Sequence, residues 1–143
     1  MSATILASAS FPAAPARRTS KTQWTSRVLT GLVLLFFTFD TSVKLFFASP
    51  EIMEGVVKMG FAPQHLLVIG LLELACLVLY AIPRTAPLGA LLFTGYLGGA
   101  IVTHLRVSDP LFSHTLFPTY VAALVWGSLY LRDPRIRALV GRR

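Results

Sequence analysis

Long apolar stretches separated by short polar breaks dominate the chain. Four apolar runs cover about residues 27–47, 64–82, 86–105 and 111–131. The breaks after them contain turn-forming residues and read "ASPE", "IPRTAP", "RVSDP" and "RDPR". A helix of about 20 apolar residues crosses the roughly 30 Å hydrocarbon core of a bilayer, and in lipid its backbone groups must bond within the segment. The pattern predicts an all-α fold, an antiparallel four-helix transmembrane bundle.

The break between the first two runs is long enough for an element of its own, "SPEIMEGVVKMGFAP". Ser49 suits a helix N-cap, Pro50 suits the first helical position, and Gly60 suits the residue after the end. Apolar and charged residues would occupy opposite faces of this helix. We expect a short amphipathic helix lying at the membrane interface between helices 1 and 2, as a lid or skirt.

Polar segments at both ends flank the predicted transmembrane domain of residues 27–131. Residues 1–26 are rich in Ala, Ser and Thr and contain no acid, so we interpret them as a disordered basic tail. The same composition is compatible with an organellar transit peptide, whereas a secretory signal would place its basic residues first. Residues 132–143 carry five arginines and are predicted to be a basic C-terminal tail.

Composition and charge agree with a membrane location. Hydrophobic residues make up 55% of the chain and charged residues 13%, about half the charge of a typical soluble domain. The net charge of +7 lies mainly in the flanks of the apolar runs, without the basic stripe of a nucleic-acid-binding protein. Because basic flanks stay on the cytoplasmic side, we expect a multi-pass protein of the cell (inner) membrane with both termini cytoplasmic and no nucleic-acid partner.

Two opposite charges interrupt the first run, in "LLFFTFDTSVKLFF". Asp40 and Lys44 are four residues apart and therefore share one face of a helix. Unpaired, either charge deep in a bilayer would cost about 2.5–3.5 kcal/mol on insertion scales. One interpretation is that the two charges neutralise each other while Lys44 extends to the outer surface.

Glu73 has no such local partner in "VIGLLELACLVLY". At about 1.5 Å of rise per residue it would lie near the middle of helix 2. It must therefore find a partner on another helix, face a water-filled cavity, or bind a proton. Each option turns the side chain into the bundle.

Small residues run along the third helix, "LGALLFTGYLGGAIVTHLR". Gly95 and Gly99 form a G-x-x-x-G step, and Gly98 belongs to an adjacent row of small side chains. Such rows let helix backbones approach closely, so we expect these glycines to serve helix packing. The alternative is that the missing side chains leave room for a flat ligand.

His104 and Arg106 end the third helix on the same side as the Asp40–Lys44 pair. Together with Glu73 they define a predicted ligand-binding or polar cluster of two acids, two bases and one imidazole. Their catalytic roles stay unassigned, because no self-contained catalytic motif is present. The three histidines lack metal-ligand spacing and Cys76 is the single cysteine, so no metal site and no disulfide are expected.

The sequence resembles the DoxX-like family of small four-helix integral membrane proteins. The resemblance rests on "FDTSVKLF", on "GLLELACLVLYAIPRTAPLGALLFTGYLGGAIVTHLR" and on "FPTYVAALVWGSLYLRDPRIRAL". Thr41 stands where the family often has glycine. The resemblance implies a membrane bundle, and the founding members are small subunits of a thiosulfate:quinone oxidoreductase.

We therefore expect an auxiliary membrane subunit of a redox system that binds a quinone or a similar lipid-soluble molecule, with electrons supplied by an oxidoreductase partner subunit. Asp40 and Glu73 would handle protons, while Lys44, His104 and Arg106 would bind anionic or carbonyl oxygen. A proton or small-molecule permeation pathway, which would require a homo-oligomer, is the first alternative. A non-catalytic membrane scaffold, in which the charges only fix helix register, is the second.

Overall fold

The computed structural model describes residues 20–141, and these residues form helices and connections without a β-strand. The six helices are α1 (Ser20–Phe46), α2 (Pro50–Lys58), α3 (His65–Ala81), α4 (Ala86–Arg106), α5 (Phe117–Arg132) and α6 (Pro134–Val140). The all-α prediction is confirmed for this part of the chain. Three of the predicted runs agree with α1, α3 and α4 to within one residue at five of their six ends.

The exception is the start of α1, which begins at Ser20 rather than at residue 27. Residues 20–26 are polar apart from Trp24, but no proline or glycine occurs between Ser20 and Thr30 to break the helix. The apolar pattern marks where the surface of the helix becomes apolar, but the helix itself begins two turns earlier in the chain. The rest of the predicted tail, residues 1–19, lies outside the described residues.

The fourth run is also not one continuous helix. A π-helical turn, Leu111–Thr115, precedes α5, which begins at Phe117. Pro118 explains the break, because a proline inside a helix lacks an amide hydrogen and collides with the carbonyl group four residues earlier. The chain instead places Pro118 in the first turn of α5, where that hydrogen is not needed.

The four long helices form a ring in which each helix packs against two others. The packed pairs are α1 with α3, α3 with α4, α4 with α5, and α5 with α1. Lys44 and Leu45 near the end of α1 lie against Gly70 in the first half of α3, and the backbone of Tyr80 near the end of α3 lies against Gly89 near the start of α4. Neighbouring helices in the ring are therefore antiparallel where the chain connects α1 to α3 and α3 to α4.

The core of the ring is apolar and aromatic. The rings of Phe37 and Phe93 stack with centroids 4.0 Å apart, and Tyr80 meets Phe93 edge-on at 6.0 Å. All three side chains are fully or almost fully buried, as are Val125 and Leu129 of α5. Side chains from all four long helices meet in this layer, so its close packing links the four helices to one another.

The outward surface of the helices is apolar as well. Large side chains that are half-exposed or more include Leu35 and Phe39 on α1, Leu72 on α3, and Leu91 and Val102 on α4. Soluble monomers rarely expose apolar surface on this scale. By length and hydropathy, residues 21–46 and 86–106 are long and apolar enough to cross a membrane, while the apolar α3 has 17 residues.

Polar contacts close one end of the ring, which we call the closed end. The Tyr80 hydroxyl is hydrogen-bonded to the Val125 carbonyl at 3.0 Å and to the Ser128 hydroxyl. Arg132 donates to the Tyr80 carbonyl at 2.9 Å and lies over its ring. Arg135 of α6 bonds to Asp133 and to the Pro83 carbonyl at 3.1 Å. Within the predicted C-terminal tail, α6 is thus attached to the α3–α4 connection.

The short helix predicted between the first two long helices is present as α2, which follows Ser49. The Ser49 side chain makes no capping hydrogen bond, and its carbonyl accepts from the Met53 amide at 3.1 Å instead. Gly60 follows the helix with φ of +81°, a conformation that disfavours a side chain. The Arg106 guanidinium lies against Gly60 and donates to the Met59 carbonyl, so the end of α4 holds the end of α2.

Candidate functional site

Four polar side chains from three helices meet between α1, α3 and α4. We call Asp40, Lys44, Glu73 and Tyr96 the polar cluster. The Lys44 ammonium donates to Asp40 one turn earlier on α1, to Glu73 Oε2 at 2.5 Å and to the Tyr96 hydroxyl at 3.1 Å. Tyr96 donates in turn to the same Glu73 oxygen at 2.8 Å. Lys44 is therefore the centre of the cluster.

The cluster lies at the border between the closed core and a more open region. Glu73 is completely buried, whereas the Lys44 side chain is 19% exposed and the Asp40 side chain 37% exposed. One ammonium faces two carboxylates, and Glu73 Oε1 has no hydrogen-bond partner among the described residues. A buried carboxylate is tolerated only with such a paired charge nearby, so Lys44 is what allows Glu73 to lie at this depth as a carboxylate.

Gly70 brings the two helices close enough for this contact. A Cβ atom at Gly70 would lie 2.8 Å from Leu45 Cδ2 and 3.2 Å from Lys44 Cβ. The missing side chain therefore lets α1 approach α3 one turn before Glu73. The partner that Glu73 required is found on α1, and the Lys44 ammonium turns into the bundle rather than extending to the outer surface.

A cleft of about 570 Å³ opens next to the polar cluster. Its walls come from all four long helices and are mostly apolar, and α2 with the following turn contributes Val56, Met59 and Phe61 to its cover. Asp40, Lys44 and Tyr96 lie in its wall. Its volume falls in the range of small-molecule sites, which are typically apolar with a few fixed polar groups.

Three glycines of α4 make no close contact with another helix of this chain. A Cβ atom added at Gly95, Gly98 or Gly99 would meet no heavy atom within 4 Å, so none of them brings two helices of this chain together. Gly95 and Gly99 instead line the cleft. Their missing side chains widen it, which agrees with the alternative of room for a flat ligand. The close approach of α3 and α4 occurs at Gly89, ten residues before Gly99.

His104 and Arg106 lie apart from the hydrogen bonds of the polar cluster. His104 lines the cleft, and its Nδ1 lies 2.8 Å from Asp109 Oδ2. Asp109 Oδ1 lies 3.6 Å from the Lys58 ammonium at the end of α2. Arg106 binds the Met59 carbonyl. The structure thus joins Asp40, Lys44 and Glu73 directly, and uses His104 and Arg106 at the cover of the cleft.

Two residues of the site were missed in the sequence. Tyr96 was not among the predicted site residues, although its place beside Gly95, on the helix with the rows of small residues, was a usable signal. Asp109 follows α4 in "RVSDP", where it was interpreted only as part of a break. An acid directly after a helix ending in histidine and arginine is well placed to pair with either of them.

The Asp109 contacts predict a pH dependence of stability. The hydrogen bond from His104 lowers the pKa of Asp109 below its usual value, with Lys58 adding to the effect. A carboxyl group whose pKa is lowered by folding stabilises the folded state above the unfolded-state pKa of about 3.9, and the effect is lost as the pH falls through the folded-state pKa. We expect Asp109→Asn to lower the midpoint of thermal unfolding at pH 7.

The test is to measure unfolding midpoints in detergent from pH 7 to pH 3. The difference between the original protein and Asp109→Asn should shrink below about pH 4. A difference that stays constant down to pH 3 would show that the ionised carboxylate does not hold this loop.

Metal coordination finds no support in the side-chain geometry. Among residues 20–141, no three His, Cys, Asp or Glu side chains come together as a group able to hold a metal ion. Cys76 is buried and has no disulfide partner.

Comparison with known protein families gives a match over most of the chain. A sequence model described as the DoxX-like family matches residues 28–128, which is most of the chain. No curated protein and no solved structure matches the chain significantly. The matched segment contains all four members of the polar cluster, as well as α2 and the loop with Asp109.

Proposed function

This chain belongs to the DoxX-like family, and from that premise and the site geometry we propose that it is a multi-pass membrane protein whose cleft binds a quinone or a similar lipid-soluble small molecule. Membership of the family confirms the resemblance and indicates a membrane protein. In the proposal α1, α3, α4 and α5 all cross the bilayer, and the protein acts as an auxiliary subunit of a redox system.

Apolar outward surfaces and basic ends support this arrangement. The 17 residues of α3 and the 16 of α5 give lengths of about 24–26 Å, somewhat short of a typical hydrocarbon core, which a bilayer can meet by local thinning. Arginines collect at the closed end, with Arg84, Arg132 and Arg135 on adjoining segments. By the positive-inside rule we place the closed end and both termini in the cytoplasm.

The observation that carries the proposal is that three members of the polar cluster, Asp40, Lys44 and Tyr96, lie in the wall of an apolar cleft. The cleft suits a flat ring, because Gly95 and Gly99 leave space where other residues would place a side chain. Polar ring substituents would meet Asp40, Lys44 and Tyr96 at one end. Apolar walls with a few fixed polar groups are what orient a small ligand.

A quinone, when bound, would supply a lipid-soluble carrier for two electrons and two protons. In this proposal Asp40, which is partly exposed in the cleft wall, holds or releases a proton at the ligand. Lys44 keeps Asp40 and Glu73 in place, and Tyr96 links Glu73 to the cleft through its hydroxyl. Electrons come from a partner oxidoreductase subunit.

A permeation pathway is the second candidate, and the unpaired Glu73 Oε1 favours it because buried ionisable residues often belong to proton paths in membranes. The stacked layer of Phe37, Phe93 and Tyr80, together with the contacts of Arg132, separates Glu73 from the closed end. Proton flux into liposomes that is lost in Glu73→Gln would support this candidate. Absence of flux in both proteins would leave the binding role or the scaffold role.

Ligand binding can be tested at Gly95, with Gly98 as a matched control. Both glycines lie on α4 and both would accept a Cβ atom without a contact, but only Gly95 lines the cleft. We expect Gly95→Leu to fill the cleft and weaken binding of a short-chain ubiquinone at least tenfold, equivalent to about 1.4 kcal/mol. Gly98→Leu should bind as the original protein does.

The measurement is quenching of tryptophan fluorescence or calorimetric titration of the protein in nanodiscs. Equal affinity in the two variants would show that the ligand does not bind in this cleft. No saturable binding to the original protein would refute the proposed function itself.

A further inference from the structure

The polar side chains of the cleft wall already use their polar hydrogen atoms in hydrogen bonds within the protein. Five such side chains line the cleft: Asp40, Lys44, Tyr96, Thr103 and His104. A ligand can form hydrogen bonds only with the donors and acceptors that the protein's own contacts leave over. Counting these groups therefore predicts which kind of ligand the cleft prefers.

Lys44 and Tyr96 have no donor to spare. An ammonium group has three hydrogens, and Lys44 directs one each to Asp40, Glu73 and Tyr96. The single hydroxyl hydrogen of Tyr96 goes to Glu73 Oε2. Offering a hydrogen to a ligand carbonyl would mean withdrawing it from a carboxylate or from the tyrosine that supports the buried Glu73.

At the other end of the cleft, the polar hydrogen atoms are also used in hydrogen bonds within the protein. The Thr103 hydroxyl donates to the Gly99 carbonyl at 2.9 Å. His104 Nδ1 faces Asp109, whose ionised carboxylate can only accept, so the proton of a neutral His104 is on Nδ1 and Nε2 presents a lone pair. Both side chains offer the cleft acceptors.

The cleft wall keeps hydrogen-bond acceptors that the protein's own contacts do not use. Asp40 uses one oxygen for Lys44, and its other oxygen makes no hydrogen bond within residues 20–141. Thr103, Tyr96 and neutral His104 also keep free lone pairs. A ligand group with a hydrogen to donate is therefore complementary to this wall, whereas a carbonyl group meets lone pairs or must displace an existing bond.

We propose that the cleft selects the hydrogen-donating, reduced form of its ring ligand, a hydroquinone with two hydroxyl groups, over the oxidised form with two carbonyl groups. This inference rests on the proposed function and assigns the form of the ligand that the site retains. Asp40 is the residue that receives a ligand hydroxyl at the cluster end of the cleft. The site would then mainly hold the reduced carrier or transfer it to a partner.

The experiment compares three short-chain ubiquinone derivatives that share one ring and one tail: the quinone, the quinol and the quinol dimethyl ether. Binding to the full chain in nanodiscs is measured under anaerobic conditions at pH 7.5. A hydrogen bond to a charged group is stronger than one between neutral groups, so we expect the quinol to bind at least tenfold more tightly than the quinone. The ether has no hydrogen to donate and should bind as weakly as the quinone.

Asp40→Asn adds a readout that a purely hydrophobic site would not show. The asparagine carbonyl can keep the bond from Lys44 while its amide offers the cleft a donor, so the preference for the quinol should fall to about threefold or less. Quinone binding equal to or tighter than quinol binding in the original protein would overturn the inference, and so would an unchanged preference in Asp40→Asn. If none of the three compounds binds, the proposed function is refuted, and the inference that rests on it is refuted with it.

Discussion

Replacing Lys44 with methionine is expected to lower the free energy of unfolding by about 3–5 kcal/mol, the range found when one partner of a buried ion pair is removed. Methionine has a similar length and removes the ammonium group. Glu73 is completely buried and would lose its charge partner, and Asp40 would lose the contact that links it to α3. Glu73 must then bind a proton or remain as an unpaired buried charge, and both states cost free energy.

A second substitution separates this effect from lost packing. Lys44→Met combined with Glu73→Gln removes the uncompensated charge but keeps both side-chain shapes, so we expect it to recover more than half of the loss. Glu73→Gln alone should cost less than Lys44→Met, because Lys44 retains Asp40 and Tyr96. Lys58→Met is the matched control: Lys58 is 72% exposed and 3.6 Å from its acid, and such pairs contribute about 1 kcal/mol or less.

Stability can be measured for all four variants by unfolding in mixed micelles with increasing SDS, followed by tryptophan fluorescence. If Lys44→Met were no less stable than Lys58→Met, Glu73 would not depend on a positive charge, and the polar cluster would be a hydrogen-bonded rather than an ionic unit.

Gly89→Ala is expected to be the second most destabilising of these changes, although it adds a single methyl group. A Cβ atom at Gly89 would lie 2.6 Å from Tyr80 Cα and 2.8 Å from the Leu79 carbonyl carbon. These are backbone atoms of α3, and they cannot move aside as a flexible side chain can. Overpacking of a core typically costs about 1–3 kcal/mol, and we expect a value near the upper end.

Gly98→Ala provides the control for helix propensity. A Cβ atom at Gly98 would have no neighbour within 4 Å, so alanine should stabilise α4 by up to about 1 kcal/mol through its higher helix propensity. The same micelle unfolding curves give both values. Equal stability of Gly89→Ala and Gly98→Ala would mean that α3 and α4 are further apart than described.

Much of the fold follows from sequence features that act locally. Apolar runs, together with the prolines and the Ser–Pro step between them, fixed the number of long helices and most of their ends, because helix formation depends on backbone hydrogen bonds and on breaks a few residues away. The start of α1 and the break at Pro118 were predicted wrongly because hydropathy alone marked those boundaries.

The polar cluster was partly predictable for the same reason. Asp40 and Lys44 are four residues apart, so helix geometry alone brings them together. The need of Glu73 for a partner also followed from its place in an apolar run. The identity of that partner did not follow from the sequence, because several charged residues were candidates at a similar depth.

Only the tertiary structure decided how each helix is turned about its own axis. In α3, α4 and α5 apolar residues occur on every side, and a surface that faces lipid is as apolar as one that faces the core, so periodicity cannot show which face is inside. That rotation turns Tyr96 toward Glu73, places Gly95 in a cleft, and selects Gly89 rather than Gly95, Gly98 or Gly99 for close packing. The sequence by itself determined the helices and the unpaired acid, and the packing of four nearly uniform apolar surfaces determined the site.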